Sequence, residues 1–424
     1  MPNRQAIVTN DPLNTTVYGI QNGQSYPLQV DAQGRLLTTN NNSTIFVNNF
    51  PLSSTDDLRT IQLSPVAGWT FNYTLLTNLI NFTGLNGGSQ SIANSMIQLQ
   101  TGTETNGSAE IETQKALRYT PGLGALVRFT AVFTTGVTNS EQIIGIGDES
   151  DGFFVGYNGT SFGILVRKDG VDSWIPQSSW DVDKMDGSGP SGMMLNPLLG
   201  NSYQIDYQWG FGQITFYVAT NNPLQYAPVH HIDYPNTSDT PSILNPTLPL
   251  RASVRNTGNS SNVSLFTPTA MAFVEGPSYN QAISSRYTHA LTKTASSTLN
   301  TLFTLTNDTT FNGKTNRVRV LIDYISLAAN VNNLAEFIII KGVTTSGGTF
   351  QYVDQDQSVM LFSEDTTISG GTTVFDIGVS LGSGVSQSIP ELDIWLSPGE
   401  TLAVSAKSKG TGDLIATLSW IEFY

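Results

Sequence analysis

Between Ser202 and Trp209 the chain alternates without a fault: Tyr203, Ile205, Tyr207 and Trp209 are apolar or aromatic, and Ser202, Gln204, Asp206 and Gln208 are polar. A period of two puts one set of side chains on each side of a pleated strand, so this is a half-buried β-strand. After Gly210-Phe211-Gly212, residues 213–218 read as its hairpin partner. Residues 126–133 and 161–167 behave alike, the latter with Phe162, Ile164 and Val166 on one face. No stretch carries a helical period of any length, although residues 75–98 leave room for one short helix.

The same pattern returns further on. Residues 317–324 place Val318, Val320, Ile322 and Tyr324 together, and Glu336-Phe337-Ile338-Ile339-Ile340 is apolar enough for a central strand covered on both faces. Residues 392–396 form a strand before a Ser397-Pro398-Gly399-Glu400 turn with proline at its second position, and residues 401–406 return as the next strand. Apolar residues run on to Phe423 and Tyr424, so the last strand is expected inside a sheet rather than fraying. About eight strands with glycine-rich turns fit a jelly roll.

Residues 1–50 differ. The short strand 17–21, an Asn22-Gly23 turn signal and the pieces 26–30 and 35–37 are too short to bury a core alone, so they need a partner on this chain or a neighbour. The polar run 38–44 reads as a linker. The 424 residues therefore divide into an N-terminal arm and linker (1–54), a β-sandwich (55–280) and a jelly-roll-like β-sandwich (281–424), an all-β chain.

Charged residues make up only 12 %, about half the usual share, and the formal net charge is −14. Lys and Arg are scattered, so nothing here displaces counterions from nucleic acid or seeks an anionic membrane. Cysteine is absent, which excludes disulfides, thiolate metal sites and a cysteine nucleophile. The start Met1-Pro2-Asn3-Arg4-Gln5 lacks the apolar core of a signal peptide, and no run of about eighteen apolar residues exists. If the protein ends up outside a cell, assembly and lysis are the expected route.

Catalytic chemistry has little material. The three histidines are His230, His231 and His289, and no nucleophile elbow is present. His230 and His231 could ligate a metal with Asp233, but a loop or strand-edge role is expected. Gly145-Ile146-Gly147-Asp148-Glu149-Ser150-Asp151-Gly152 lacks the third glycine of a dinucleotide fingerprint. Its carboxylates Asp148, Glu149 and Asp151 are weak Ca²⁺ candidates beside the plainer reading of an acidic hairpin turn. Residues 181–187, with Asp181, Asp183 and Asp186, miss the calcium-loop spacing and read as a turn. Trp174, Trp180, Tyr157 and Tyr226 lie near turns and are the candidates for stacking on sugar rings, against the alternative of core packing. Sequons at Asn14, Asn72, Asn81, Asn158 and Asn236 fall within chance for an Asn- and Thr-rich chain.

The stretch Arg118-Tyr119-Thr120-Pro121-Gly122, residues 127–133, Gly145-Ile146-Gly147 and residues 151–163 together resemble a module of structural proteins from tailed bacteriophages and large DNA viruses. The resemblance covers residues 110–215. It implies a concanavalin-type sandwich of a fibre, spike or capsid decoration, a location on the virion surface, and no catalytic residues to carry over. Val30-Asp31-Ala32-Gln33-Gly34-Arg35-Leu36 also looks like arm segments of phage and bacterial spore-surface proteins. The expectation is a non-enzymatic virion component bound through its arm to other capsid or tail proteins, a homotrimer, with no cofactor. The alternatives are a lectin-like adhesion protein binding host-surface glycans, a polysaccharide-cleaving enzyme with two carboxylates in a cleft, and a spore-surface protein.

Overall fold

A computed structural model describes residues 62–220, 226–276, 284–380 and 382–424 in full and, within the first 61 residues, the backbone of their strands. The chain forms two units, Met1–Gln62 and Leu63–Tyr424.

In the first unit Val17–Gln21 pairs with Ile7–Val8 and with Gln24–Pro27. A second three-stranded sheet joins Gln29–Val30, Leu36–Asn40 and Ser43–Val47. In the run 38–44, expected as a linker, residues 38–40 and 43–44 belong to paired strands with Asn40 opposite Ser43, while residues 41 and 42 lie outside the described residues. The run's threonines favour strand more than the asparagines favour coil.

The second unit begins with a sandwich of two antiparallel sheets, of nine and seven strands, in a concanavalin-like arrangement. The nine-stranded sheet runs Tyr226–Ile232, Ile214–Ala219, Asn201–Tyr207, Gly124–Phe133, Ser264–Thr267, Met96–Gln100 and Ser89–Ala93, with Thr269–Glu275 and Leu63–Thr70 branching from Gly124–Phe133. The seven-stranded sheet runs Val171–Pro176, Ser161–Lys168, Gly152–Asn158, Ser140–Gly147, Leu248–Asn256, Ser108–Leu117 and Ile80–Leu85. Alternation delivers Tyr203, Ile205 and Tyr207 from one sheet and Phe153, Phe162, Ile164 and Leu250 from the other into a single core. Phe133 meets Phe162 edge-on across it at 5.5 Å. Each such side chain contributes roughly 1.5–3 kcal/mol by leaving water.

No helix forms in residues 75–98. Three strands, Ile80–Leu85, Ser89–Ala93 and Met96–Gln100, stand there instead. The cause is local: Asn86, Asn94 and Ser95 have φ of 49°, 53° and 58°, and two successive left-handed residues make the tight reversal a hairpin requires.

The second sandwich is a jelly roll. Its eight long strands, counted from Ser284–Thr294, divide into one sheet in the order first, eighth, third, sixth and another in the order second, seventh, fourth, fifth. The eighth strand, Gly412–Phe423, lies between Ser284–Thr294 and Arg319–Val331 and buries Leu414, Ala416, Leu418 and Trp420. Three sequence expectations change. Tyr324 leaves the face of Val320 and Ile322, because the register slips between Ile322 and Tyr324 and hands the core face to Ile325, Leu327, Ala329 and Val331. Ala335–Lys341 is central, between Thr372–Val379 and Thr401–Ser408, but only Ala335, Phe337 and Ile339 are fully buried, so one face alone is covered by core. Residues 392–396 hold only the short strand Trp395–Leu396, since Pro390–Leu392 winds into a 3₁₀ turn capped by Asp393 in the left-handed region.

The two sandwiches meet along a polar seam. Arg317 forms an ion pair with Asp148 and donates to the Thr247 carbonyl at 3.3 Å. Arg118 donates to the Tyr424 carbonyl and stacks 5.3 Å from the Phe423 ring. Lys115 lies 3.7 Å from Asp393, and Ser397 Oγ donates to the Gln114 carbonyl at 3.5 Å.

Candidate functional site

The Gly145–Gly152 segment is the hairpin that glycine spacing implies, with Gly147 opposite Gly152. Its carboxylates do not converge on a common point. Asp148 Oδ1 accepts the amides of Ser150 and Asp151 at 2.7 and 2.9 Å, while Oδ2 faces Arg317. Asp151, 2 % exposed, accepts the amides of Leu244 and Asn245 at 2.9 and 3.2 Å. Glu149 bonds Arg251. Each is engaged by arginine or backbone amides, and no group of three or more His, Asp and Glu is placed to hold a metal ion among the described residues.

That hairpin borders a charge cluster on the outer face of the seven-stranded sheet. Arg251, 1 % exposed, faces Glu110, Glu112 and Glu149. Burial pushes the Glu112 carboxyl up to about 7 and raises Glu110, against the pull of Arg251. For Glu149 burial acts upward too, but Arg251, Arg255 and Arg167 outweigh it and hold that carboxyl low. Beside them Arg167 is forked onto Asp172 and lies over the Phe154 ring, with Ile143, Leu165 and Trp174 around it. The face is closed by its own charges.

The opposite outer face carries a polar row, with Arg128 exposed over a buried Gln204. The polar positions of the perfect alternation, Ser202, Gln204 and Asp206, line it beside Arg128, Tyr217 and Tyr226. Arg128 Nε donates to Gln204 Oε1 at 2.7 Å, and Gln204 Nε2 donates to Asp206 at 2.9 Å. Tyr217 bonds Asp206 in turn, and burial, then Glu275, push the Asp206 carboxyl up to about 6. The Arg128 guanidinium sits 5.2 Å from the Tyr226 ring, and the Tyr226 hydroxyl is 2.7 Å from Ser202 Oγ. Arg128 is exposed and both tyrosines are half-buried, so a ligand can reach them.

A long crossing between Val171–Pro176 and Asn201–Tyr207 walls this row. Buried Trp180, Met185 and Leu195 pin it to the core. Asp183 organises its tip by accepting the amides of Met185 and Ser191, both at 2.8 Å. These bonds and the Ser191 hydroxyl outweigh the cost of burial and hold its carboxyl below the usual range. Asp181 takes His230 Nδ1 at 2.8 Å and the His231 amide at 3.0 Å, so the two histidines are strand-edge residues tied to the crossing. Between crossing and strand lies a groove of about 580 Å³, lined by Pro190, Ser191, Met193, Thr220, Tyr226 and Pro228.

Of the four aromatic candidates, only Tyr226 belongs to this groove. Trp180 is 2 % exposed and packs on Phe162, because the crossing folds back on the sheet and carries its tryptophan inward. Tyr157 packs edge-on against Phe133 and Phe162 at 6.0 and 5.1 Å. Trp174 half-covers Phe154 on the other sheet. Arg128, Gln204, Asp206 and Tyr217 escaped the sequence reading, although their alternation with apolar neighbours had already turned them outward.

No family model matches the chain, and no curated protein matches it. Among solved structures, a glycosyl hydrolase family protein from Mycobacterium fortuitum is similar at 10 % identity and a TM-score of 0.34, over 49 % of this chain and 99 % of its own. Peanut lectin is similar at 13 % identity and a TM-score of 0.32, over 50 % and 98 %. The lumenal domain of VIP36, in a Ca²⁺- and mannoside-bound form, is similar at 11 % identity and a TM-score of 0.32, over 52 % and 93 %.

Proposed function

We propose that the chain is a lectin-like adhesion protein that takes a glycan on the outer face of its nine-stranded sheet. The observation that carries this reading is the pairing of a groove of about 580 Å³ with a hydrogen-bonded row of Arg128, Gln204, Asp206, Tyr217 and Tyr226. Sugars offer hydroxyls to forked amide, carboxylate and guanidinium groups and apolar C–H faces to aromatic rings and proline. The test is a glycan array followed by calorimetry. Tyr226→Ala and Arg128→Ala are expected to lose binding about tenfold or more, while Trp174→Ala on the opposite sheet keeps it. Equal binding by all three variants, or no glycan bound by the wild type, overturns the reading.

A second reading, display of these sandwiches on a virus particle, draws support from the first unit. Its two small sheets are built of strands of two to five residues, too short to be stable without a partner. Removing residues 1–62 would abolish incorporation into a particle while leaving glycan binding intact. Unchanged incorporation removes this reading.

A further inference from the structure

We propose that the seam between the two sandwiches is a binding site for a small monocarboxylate, centred on Arg319. Every other arginine described in the two sandwiches has a polar partner. Arg167, Arg251, Arg255, Arg286 and Arg317 lie within ion-pair distance of carboxylates, Arg128 bonds Gln204, and Arg118 bonds the Tyr424 carbonyl. Arg319 differs from them in having neither an ion pair nor a side-chain hydrogen bond among the described residues, and its Nε is buried without a partner. A guanidinium left in this state is costly, and an arriving anion removes the cost.

The group is nonetheless held in place. Its guanidinium lies 4.2 Å from the centre of the Trp395 ring. Trp395 is fixed in turn by its Nε1 bond to Asp393 and by Phe423, whose ring centre is 5.3 Å away. The nearby carboxylates are already engaged: Asp393 with Lys115 and Trp395, Glu400 with Lys341 at 3.1 Å and the Ser397 amide at 2.7 Å. Arg319 is thus a surplus, preorganised cation, in a chain whose net charge is −14. Burial lowers its pKa to about 10, against the charges of Asp393 and Glu400, so it stays protonated at neutral pH.

The surroundings define the ligand. Arg319 opens onto a cavity of about 250 Å³ whose walls include Pro65, Val66 and Phe423 on the apolar side and Lys115, Arg118 and Thr247 on the polar side. A planar fork matches a carboxylate bidentately. The apolar wall suits the C–H face of a ring, and Asp393 and Glu400 oppose a second negative charge, which disfavours a phosphate dianion. A hexuronate unit meets all three conditions. The site shares no residue with the Tyr226 groove, so either can fail without the other.

The experiment titrates the full chain with glucuronate, glucose and inorganic phosphate, followed by tryptophan fluorescence and calorimetry. Glucuronate is expected to saturate, to change the emission of the stacked Trp395, and to bind about tenfold tighter than glucose or phosphate. Arg319→Gln is expected to weaken it about tenfold or more with glycan binding at Tyr226 unchanged. Should that variant not fold, Arg319→Lys, which keeps the charge but not the fork, is expected to show a comparable loss. Absence of saturation, equal binding of glucose or phosphate, or full retention in the folded variant overturns the proposal.

Discussion

Replacing Arg251 by methionine would isolate the part that its charge plays in holding the first sandwich together. The side chain is 1 % exposed and stands among three glutamates. Methionine keeps much of the volume, so the loss is chiefly electrostatic. Glu149, with 65 % of its side chain in solvent, can turn into water and contributes little. Glu110 and Glu112, at 25 % and 31 % exposure, cannot. Breaking a buried pair by removing one partner costs about 3–5 kcal/mol, and the lower end suits carboxylates a quarter exposed. We expect about 3 kcal/mol at pH 8, a fall in Tm of roughly 6–12 °C at 2–4 °C per kcal/mol. At pH 4.5 the orphaned carboxylates take up protons and the loss shrinks to about 1 kcal/mol. Urea unfolding of both proteins at the two pH values, followed by tryptophan fluorescence, measures the difference. An equal loss at pH 4.5 and pH 8 would refute the electrostatic account, as would a methionine variant as stable as the wild type at pH 8.

Glu112→Gln probes the same cluster from the other side. Burial raises this carboxyl from 4.5 to about 7, so its stabilising contribution is complete below pH 4.5 and is lost as pH climbs through 7. Allowing for solvent screening, the amide should gain about 1–2 kcal/mol at pH 8 and nothing at pH 4, read as a Tm difference between variants at each pH. Gly156→Ala should destabilise by about 1–3 kcal/mol or prevent folding, because a Cβ there would lie 1.8 Å from the Gln142 carbonyl oxygen in the adjoining strand. Thermal melting decides it, and a stable alanine variant would mean that the two strands can part.

The fold was legible wherever alternation ran unbroken. Ser202 to Trp209 announced both its buried aromatics and its outward polar row, and the apolar ending to Tyr424 announced a strand inside a sheet. Errors arose where one residue changed the phase. The slip at Asp323 moved Tyr324 off its expected face, and left-handed asparagines turned a possible helix into hairpins. The sites were harder to read. Trp180 and Tyr226 look equivalent beside turns, and only the path of the crossing sends one inward and leaves the other at a groove. The Arg319 cavity gathers Val66, Lys115, Arg118, Thr247, Trp395 and Phe423 from segments hundreds of positions apart, and no local spacing encodes such a meeting.

The position of Gly412–Phe423 governs when the jelly roll can close. Ribosomes deliver the chain in order, and both neighbours of this ribbon emerge long before it does. Until it arrives, Ser284–Thr294 and Arg319–Val331 confront each other across a vacant slot, with the seat of Trp420 unfilled. The earlier sandwich, complete by Glu275, can mature while its successor waits. Nascent chains stalled just short of residue 412 should therefore carry one protease-resistant half and one digestible half.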